Sequence, residues 1–508
     1  MILHIDRPNR KQSAPDRRSQ SPSALSYLVL GLAFSVTPFH PARSAMHRVP
    51  INGVAKHRLA EGGNDTCRAA VVSQTPLRLP DGRWLWVGEE DHAADRGGDV
   101  AVVSSYIEVW KKDLSSDPPL SHADSIRGLR SGYDFTNHHV EAIADSLIGA
   151  VIREDGSVLP IPIPKQLQGR TLAAIHVAAG DNGHWRILLV ARLGKGPSES
   201  PSGTAERLKE MWTGISAELW YGVFTAAGWQ SLERIGTAAQ AGFDFHFIPD
   251  LAVDGDDVAF AYPVLSERQE RVVLLHRQAG HWQSDTLWVR TAIQGVHVLK
   301  APGRHQWLIA VTHLQIDPPG AAALYLSEFD SSWTRETLAV AQETVRATNG
   351  AIGTISTGIS SPILLTTAAG LFASWTVSDP GQNVGSSTSI HVARVTMAAG
   401  SAPLPPRLVA GDVDYLRGFS AAVVHDSDIV WIFAEHAHPE DVRVVTLKRG
   451  HVFDLGLLPV HTLRGHDIVA VRNDDMLYLT AASKSTASDP PIVSLLSKIS
   501  LACKASTH

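Results

Sequence analysis

Leu219-Trp-Tyr-Gly-Val-Phe224 runs through Ala-Ala-Gly into Trp229, then Leu232 and Ile235. A β-branched and aromatic run meets a tight turn, and an aromatic residue opens the next run. The pattern recurs. Val272-Val-Leu-Leu-His276 leads through Gln-Ala-Gly to His281-Trp282, Leu324-Tyr-Leu-Ser-Glu-Phe329 through Asp-Ser-Ser to Trp333, and Val442-Arg-Val-Val-Thr-Leu447 through Arg-Gly to Val452-Phe453. Trp229, Trp282 and Trp333 are spaced 53 and 51 residues apart. Short runs of this composition, bounded by Gly, Asp, Asn and Pro, read as strands joined by hairpin turns.

A second element precedes each hairpin: an apolar strand, a turn and another apolar strand. It is seen in Ile248-Pro-Asp-Leu-Ala-Val-Asp-Gly-Asp-Asp-Val-Ala-Phe-Ala-Tyr262 and Ser420-Ala-Ala-Val-Val-His-Asp-Ser-Asp-Ile-Val-Trp-Ile-Phe433, and again from Pro362 to Trp375 and from Asp467 to Leu479. Four strands at a period near 50 residues are what propeller blades produce, because one four-stranded sheet cannot bury both its faces alone. The expected fold is therefore an all-β propeller of four-stranded blades, closed by pairing of the N- and C-terminal strands. Units fall near 77–120, 126–168, 170–240, 242–292, 294–340, 346–410, 415–460 and 463–503. The second is short, so seven blades are expected and eight are the alternative. A pair of β-sandwiches is the competing fold, and it leaves the aromatic after each turn unexplained. One segment has good helix formers, Ser202-Gly-Thr-Ala-Glu-Arg-Leu-Lys-Glu-Met-Trp212, a polar insertion.

Residues 1–45 stand outside this pattern. A head rich in Arg and Lys is followed by the apolar run Ala24–Val36 and by the small residues of Ala42-Arg-Ser-Ala45. That order is the layout of a secretory signal peptide. The apolar run is short of the roughly 20 residues a bilayer span requires. An uncleaved anchor is the alternative. Residues 46–66 are expected as a linker, 67–503 as the propeller and 504–508 as a tail. The protein is then expected to be exported, periplasmic or extracellular, with no membrane span in the mature chain.

The 508 residues carry 45 Lys plus Arg against 51 Asp plus Glu, with 44% hydrophobic residues and a mean hydropathy of −0.02. Disorder, a polytopic membrane protein and a coiled coil are excluded on that composition. Loss of residues 1–45 removes six positive and two negative charges, leaving 39 against 49 and a net charge of −10. Sequence-independent nucleic-acid binding needs clustered positive charge, so nucleic acid is not an expected partner. A monomer is expected. Two cysteines occur, Cys67 opening the first strand and Cys503 ending the last. An oxidising compartment permits a bond between them, which would latch the ring and close a very long loop.

The segment Ala217–Ile235 resembles the repeat of the sialidase and neuraminidase-like propellers, in which a strand enters an Asp-box (BNR) turn of the form Ser-x-Asp-x-Gly-x-x-Trp. Gly228-Trp229, Gly280-His-Trp282 and Asp330-Ser-Ser-Trp333 are similar to eroded copies of that turn. The resemblance covers roughly residues 170–460. It implies a propeller that recognises or cleaves a glycan. Sialidases hold the substrate carboxylate with three arginines, the first in an Arg-Ile-Pro motif. The nearest string here, Arg48-Val-Pro50, precedes any strand, so the sialidase mechanism does not carry over. Asn137-His-His-Val-Glu-Ala-Ile-Ala-Asp145 resembles the early inner-strand motif of propeller polysaccharide lyases built around histidines.

Histidine is the compositional outlier, with 24 residues. His138, His139, His246, His297 and His466 fall near expected inner strands, whose side chains line the central channel. Such a ring would suit a divalent metal, the one cofactor considered, since imidazole is its commonest ligand. It would equally supply a base beside a uronate carboxyl, with Tyr262 as acid. His139, His246, Asp250 and Tyr262 are thus the catalytic candidates. Arg346, Arg417, His297 and His466 are the candidates for holding substrate. Each histidine and arginine is also accounted for as a locally satisfied polar residue, because no His-x-His or His-Glu-x-x-His spacing occurs. The pairs Asp250/Asp254 and Asp256/Asp257 would suit glycoside chemistry, but Asp254-Gly-Asp-Asp257 reads better as a turn. Trp84, Trp86, Trp110 and Trp212 do not repeat and are candidates for a binding surface. The function expected is recognition, with or without cleavage by hydrolysis or lyase chemistry, of an extracellular or envelope glycan. The alternative is a non-catalytic module that binds a protein or envelope partner through the 194–217 insertion. A redox or quinone-type propeller is a third and weaker reading.

Overall fold

The structure is a computed structural model. It describes residues 66–82, 84–87, 92–104, 107–110, 147–170, 172–193, 215–241, 250–264, 270–278, 280–289, 292–300, 306–314, 322–329, 333–341, 343–346, 352–355, 358–378, 387–395, 406–414, 419–424, 427–436, 441–461, 469–473, 476–484 and 492–504. Among these the chain is all-β, with two single-turn 3-10 segments and no helix long and apolar enough to cross a membrane. It is a propeller of four-stranded antiparallel units. The leader, the 202–212 insertion, Trp212 and the sequence around His139 lie outside the described residues.

The first sheet is the meander His92–Arg96, Asp99–Val103, Leu147–Ile152 and Val158–Pro162. An eight-stranded sheet follows. It contains the meander Leu172–Ala179, Trp185–Arg192, Ile215–Thr225 and Gly228–Ala241, and the meander Asp250–Asp254, Asp257–Val264, Glu270–Gln278 and His281–Val289. Then come three four-stranded sheets, beginning at Ala292–Lys300, Gly358–Thr367 and Phe419–Val424 and ending at Trp333–Ala341, Arg407–Asp414 and His451–His461. The last sheet runs Val469–Asn473, Met476–Lys484 and Ile492–Lys504, and takes Thr66–Pro76 as its outer strand. Two short ribbons stand apart, Trp84–Val87 with Ile107–Trp110 and Glu343–Arg346 with Ile352–Ile355. Trp84, Trp86 and Trp110 belong to the first of them.

Six such sheets stand where seven or eight separate blades were expected. The units expected at 77–120 and 126–168 contribute to a single sheet, its second and third strands lying either side of residues 104–146. The units expected at 170–240 and 242–292 are joined by one residue pair, Ala241 with Val264.

The central strands, such as Asp99–Val103, Trp185–Arg192 and Asp428–Ala434, are buried on both faces, which is why their sequences are apolar runs rather than alternations. In Asp428–Ala434, Ile429, Trp431 and Phe433 pack into one core cluster while Val430, Ile432 and Ala434 pack into the next. In Asp99–Val103, Val100 and Val102 face one cluster and Ala101 and Val103 another. Each large apolar side chain so placed contributes roughly 1.5–3 kcal/mol relative to exposure.

Two of the recurring tryptophans, Trp229 and Trp282, tie their units to the one before. Trp229 meets Phe224 edge-on at 5.4 Å, and its Nε1 donates to the carbonyl of Pro162 in the first sheet at 2.9 Å. Trp282 meets Tyr221 edge-on at 5.3 Å, and its Nε1 donates to Glu233 at 3.2 Å. Gly222 is required by this packing, because a Cβ there would lie 2.5 Å from the Trp229 ring. Gly228 closes the turn with φ of 102°, a conformation that disfavours a side chain.

The N- and C-terminal strands pair antiparallel, and Cys67 lies directly opposite Cys503. Residues opposed in an antiparallel pair have Cα atoms about 4.5–5.5 Å apart, inside the range of about 4.4–6.8 Å that disulfides adopt. Peptide mapping without reductant is expected to recover one linked pair, Cys67 with Cys503. Recovery of two alkylatable thiols from oxidised protein would refute the bond.

Candidate functional site

The innermost strands are His92–Arg96, Leu172–Ala179, Asp250–Asp254, Ala292–Lys300, Gly358–Thr367, Phe419–Val424 and Val469–Asn473. Each touches the next, and the last touches the first. Asp250 begins its strand directly after Pro249, and the strand ends in the expected turn at Asp254–Asp257, where Gly255 has φ of 60°.

Asp250 and His297 are the two sequence candidates that come together. Asp250 Oδ2 accepts the backbone N–H of Val298 at 2.7 Å. His297 Nε2 lies 3.7 Å from the same oxygen, with 24% of each side chain exposed. His297 Nδ1 in turn accepts the backbone N–H of Leu364 at 3.3 Å. Three consecutive inner strands are thereby linked, each reaching the next through a side chain. A ring nitrogen that accepts an amide proton carries none itself, so neutral His297 holds its proton on Nε2, facing Asp250. Burial raises the Asp250 carboxyl above its usual range, against the opposing pull of His297 and of the Val298 and Leu251 amides.

Tyr262 does not join them. Asp250 pairs with Ala261, so the two share a face of the sheet and the neighbouring Tyr262 lies on the other. Tyr262 is 5% exposed, stacked on Phe260 at 5.0 Å, and its hydroxyl is pushed up to about 12 by burial. It is a core residue, not an acid partner for Asp250. Arg346 lies at the end of the Glu343–Arg346 ribbon, one ribbon away from the inner strand it was expected to precede. His139, His246, Arg417 and His466 lie outside the described residues.

Two acids of the Asp254–Asp257 turn, Asp256 and Asp257, serve ion pairs. Asp257 accepts Lys300 Nζ at 2.7 Å, and Asp256 lies 3.4 Å from Arg186. Lys300 also sits 4.5 Å above the Trp307 ring. Among the described residues no three His, Cys, Asp or Glu side chains gather as a metal ion would need.

Two polar groups escaped the sequence reading. Ser389 Oγ lies 2.9 Å from His391 Nε2, with Trp375 stacked on the ring at 6.1 Å, and burial lowers His391 to about 4. His276 is 5% exposed, with Nε2 2.9 Å from Asp285 Oδ2 and its ring against Phe329. The spacing Ser-x-His on one strand was the available signal for the first. The second pairs diagonally across a hairpin, which no local motif reveals.

No protein-family model matches the chain, and no curated protein sequence matches it. Among solved structures it is similar to the polysaccharide lyase Uly1, at 13% identity and a TM-score of 0.42, over 81% of this chain and 90% of that one. A protein of unknown function from Dyadobacter fermentans aligns at 12% identity and a TM-score of 0.40, over 65% and 95%. Trypanosoma rangeli sialidase aligns at 10% and 0.36, over 70% of this chain and 58% of its own.

The Asp250 contacts separate a structural contribution from a protonic one. Asp250→Asn keeps an oxygen for the Val298 amide and removes a carboxylate whose ionisation the fold disfavours. Its melting temperature at pH 7 is expected to equal or exceed that of the parent, the difference shrinking as pH falls toward the unfolded value near 3.8. Asp250→Ala orphans the amide and is expected to cost about 1–3 kcal/mol. Equal melting of all three proteins would show that the bond contributes nothing.

Proposed function

We propose that the chain is an exported propeller that recognises a glycan of the cell envelope or extracellular space at the mouth of its central channel. In this reading residues 1–45 are the export signal. The ring is closed by the pairing of its terminal strands. The mature protein is a monomer.

The observation that carries the reading is the Asp250–His297 pair. Two polar side chains on neighbouring inner strands, a quarter exposed, present a sugar hydroxyl with the Asp250 carboxylate as acceptor beside the His297 ring. Their bonds to the amides of Val298 and Leu364 hold them in place before any ligand arrives, which lowers the ordering cost of binding. Both His297 nitrogens are committed, one to Leu364 and one toward Asp250. Recognition is therefore favoured over base catalysis by His297. Where cleavage occurs, Asp250 is the proton carrier, since its raised pKa suits an acid. The eroded turn repeats around Trp229 and Trp282 support the same assignment through the family they resemble.

The test is calorimetric titration and product analysis against a panel of neutral and acidic oligosaccharides. The parent protein is expected to bind at least one. Asp250→Asn and His297→Gln are each expected to weaken that binding about tenfold or more, without unfolding the protein. Any turnover is expected to vanish in Asp250→Asn. Full binding by both variants would remove the site from the channel, and failure of the whole panel would remove the glycan.

A further inference from the structure

We propose that a second, peripheral site, formed by Arg170, Arg234 and Trp220 around the buried carboxylate of Glu218, binds the carboxylate of an acidic sugar unit. The proposal deepens the glycan reading and rests on it. It concerns a different part of the molecule, the face of the 172–241 meander that packs toward the first sheet.

Glu218 sits in Ile215–Thr225 between Ala217 and Leu219, and only 9% of the residue is exposed. Ala217 and Leu219 pack toward the meander that follows, whereas Trp220 packs with the first sheet. Glu218 shares the Trp220 face and both of its oxygens are used. Oε2 accepts from Arg170 Nη1 and from Trp220 Nε1, the latter at 3.3 Å, and Oε1 lies 3.3 Å from Arg234 Nη2. Arg170 also donates Nη2 to the carbonyl of Arg192 at 3.3 Å. Burial pushes the Glu218 carboxyl up, but its bonds to Arg170 and Trp220 and the charges of Arg170 and Arg234 outweigh it and hold the group ionised. One carboxylate thus fixes two guanidinium groups and an indole.

The cluster has more positive charge than its own acid neutralises. Two arginines face one glutamate in a chain whose net charge is −6. Glu233, next to Arg234 in sequence, does not restore the balance, because it accepts from Trp282 on the opposite face. Arg234 is 50% exposed and Arg170 28%, so part of each side chain meets solvent. Guanidinium groups pair with planar carboxylates through paired parallel hydrogen bonds. An indole face beside them buries the apolar face of a sugar ring. The combination of two guanidiniums and a half-buried indole, all held by one buried acid, suits a uronate-type sugar better than a neutral one.

The experiment titrates the full-length mature protein, calorimetrically, with trigalacturonate, its methyl ester and cellotetraose, using the parent, Arg234→Gln, Trp220→Phe and Asp250→Asn. The expected result is binding of trigalacturonate that falls about tenfold or more on methyl esterification, in Arg234→Gln and at raised ionic strength. Trp220→Phe, which keeps a ring and loses the donor to Glu218, is expected to weaken binding less. The melting curve of Arg234→Gln should overlay that of the parent, and all variants should be folded at the titration temperature. Trigalacturonate binding unchanged in Arg234→Gln overturns the site. If Asp250→Asn alone then loses binding, the channel reading stands without it. Binding of cellotetraose but not of trigalacturonate overturns the acidic specificity and leaves glycan recognition intact. Failure of all three ligands overturns both.

Discussion

The innermost strand of each sheet has a ladder partner on one side only. Its other edge meets the neighbouring inner strands, and every buried amide on that edge needs an acceptor from elsewhere. At two consecutive junctions that acceptor is a side chain from the preceding inner strand: Asp250 for Val298, and His297 for Leu364. The same bonds tie neighbouring inner strands together and hold the Asp250 and His297 side chains in place. Structural closure and the candidate site thus depend on one arrangement, and the residues that serve the first are those available for the second.

Outside that ring the fold is held by apolar contact between sheets. Strands such as Asp428–Ala434 bury both faces, so no sheet is stable as a layer by itself and stability is shared across junctions. Trp229 and Trp282, each after a hairpin turn, strengthen this sharing, since each donates a hydrogen bond to the unit before its own. The indoles are therefore joints between units. Thr66–Pro76 on Ile492–Lys504 performs the equivalent joining for the chain ends, by backbone hydrogen bonds.

How much of this was legible in the sequence depends on the range of the signal. The four-strand unit was legible because turn glycines and the following aromatic lie within about ten residues of one another, the scale of a hairpin. The opposition of Cys67 and Cys503 was legible because terminal strands in a ring have few other partners. The sheet count was not, since the first sheet's strands are interrupted by residues 104–146 and the fusion at Ala241 and Val264 involves a single pair. Asp250 was legible from its place at a strand start. Its separation from Tyr262 was not, because the parity of the strand register places the two on opposite faces of the sheet. Glu218 was passed over, although one acid inside an apolar run is the mark of a group with dedicated partners.

The central claim is that side chains of one inner strand satisfy the edge amides of the next. Native-state amide exchange at Val298 and Leu364 tests it most directly. Both amides are predicted to be protected in the parent, with Asp250→Ala accelerating Val298 and His297→Ala accelerating Leu364 by about tenfold or more while amides in the strand Asp428–Ala434 keep their rates. Unchanged exchange at both positions in those variants would contradict it.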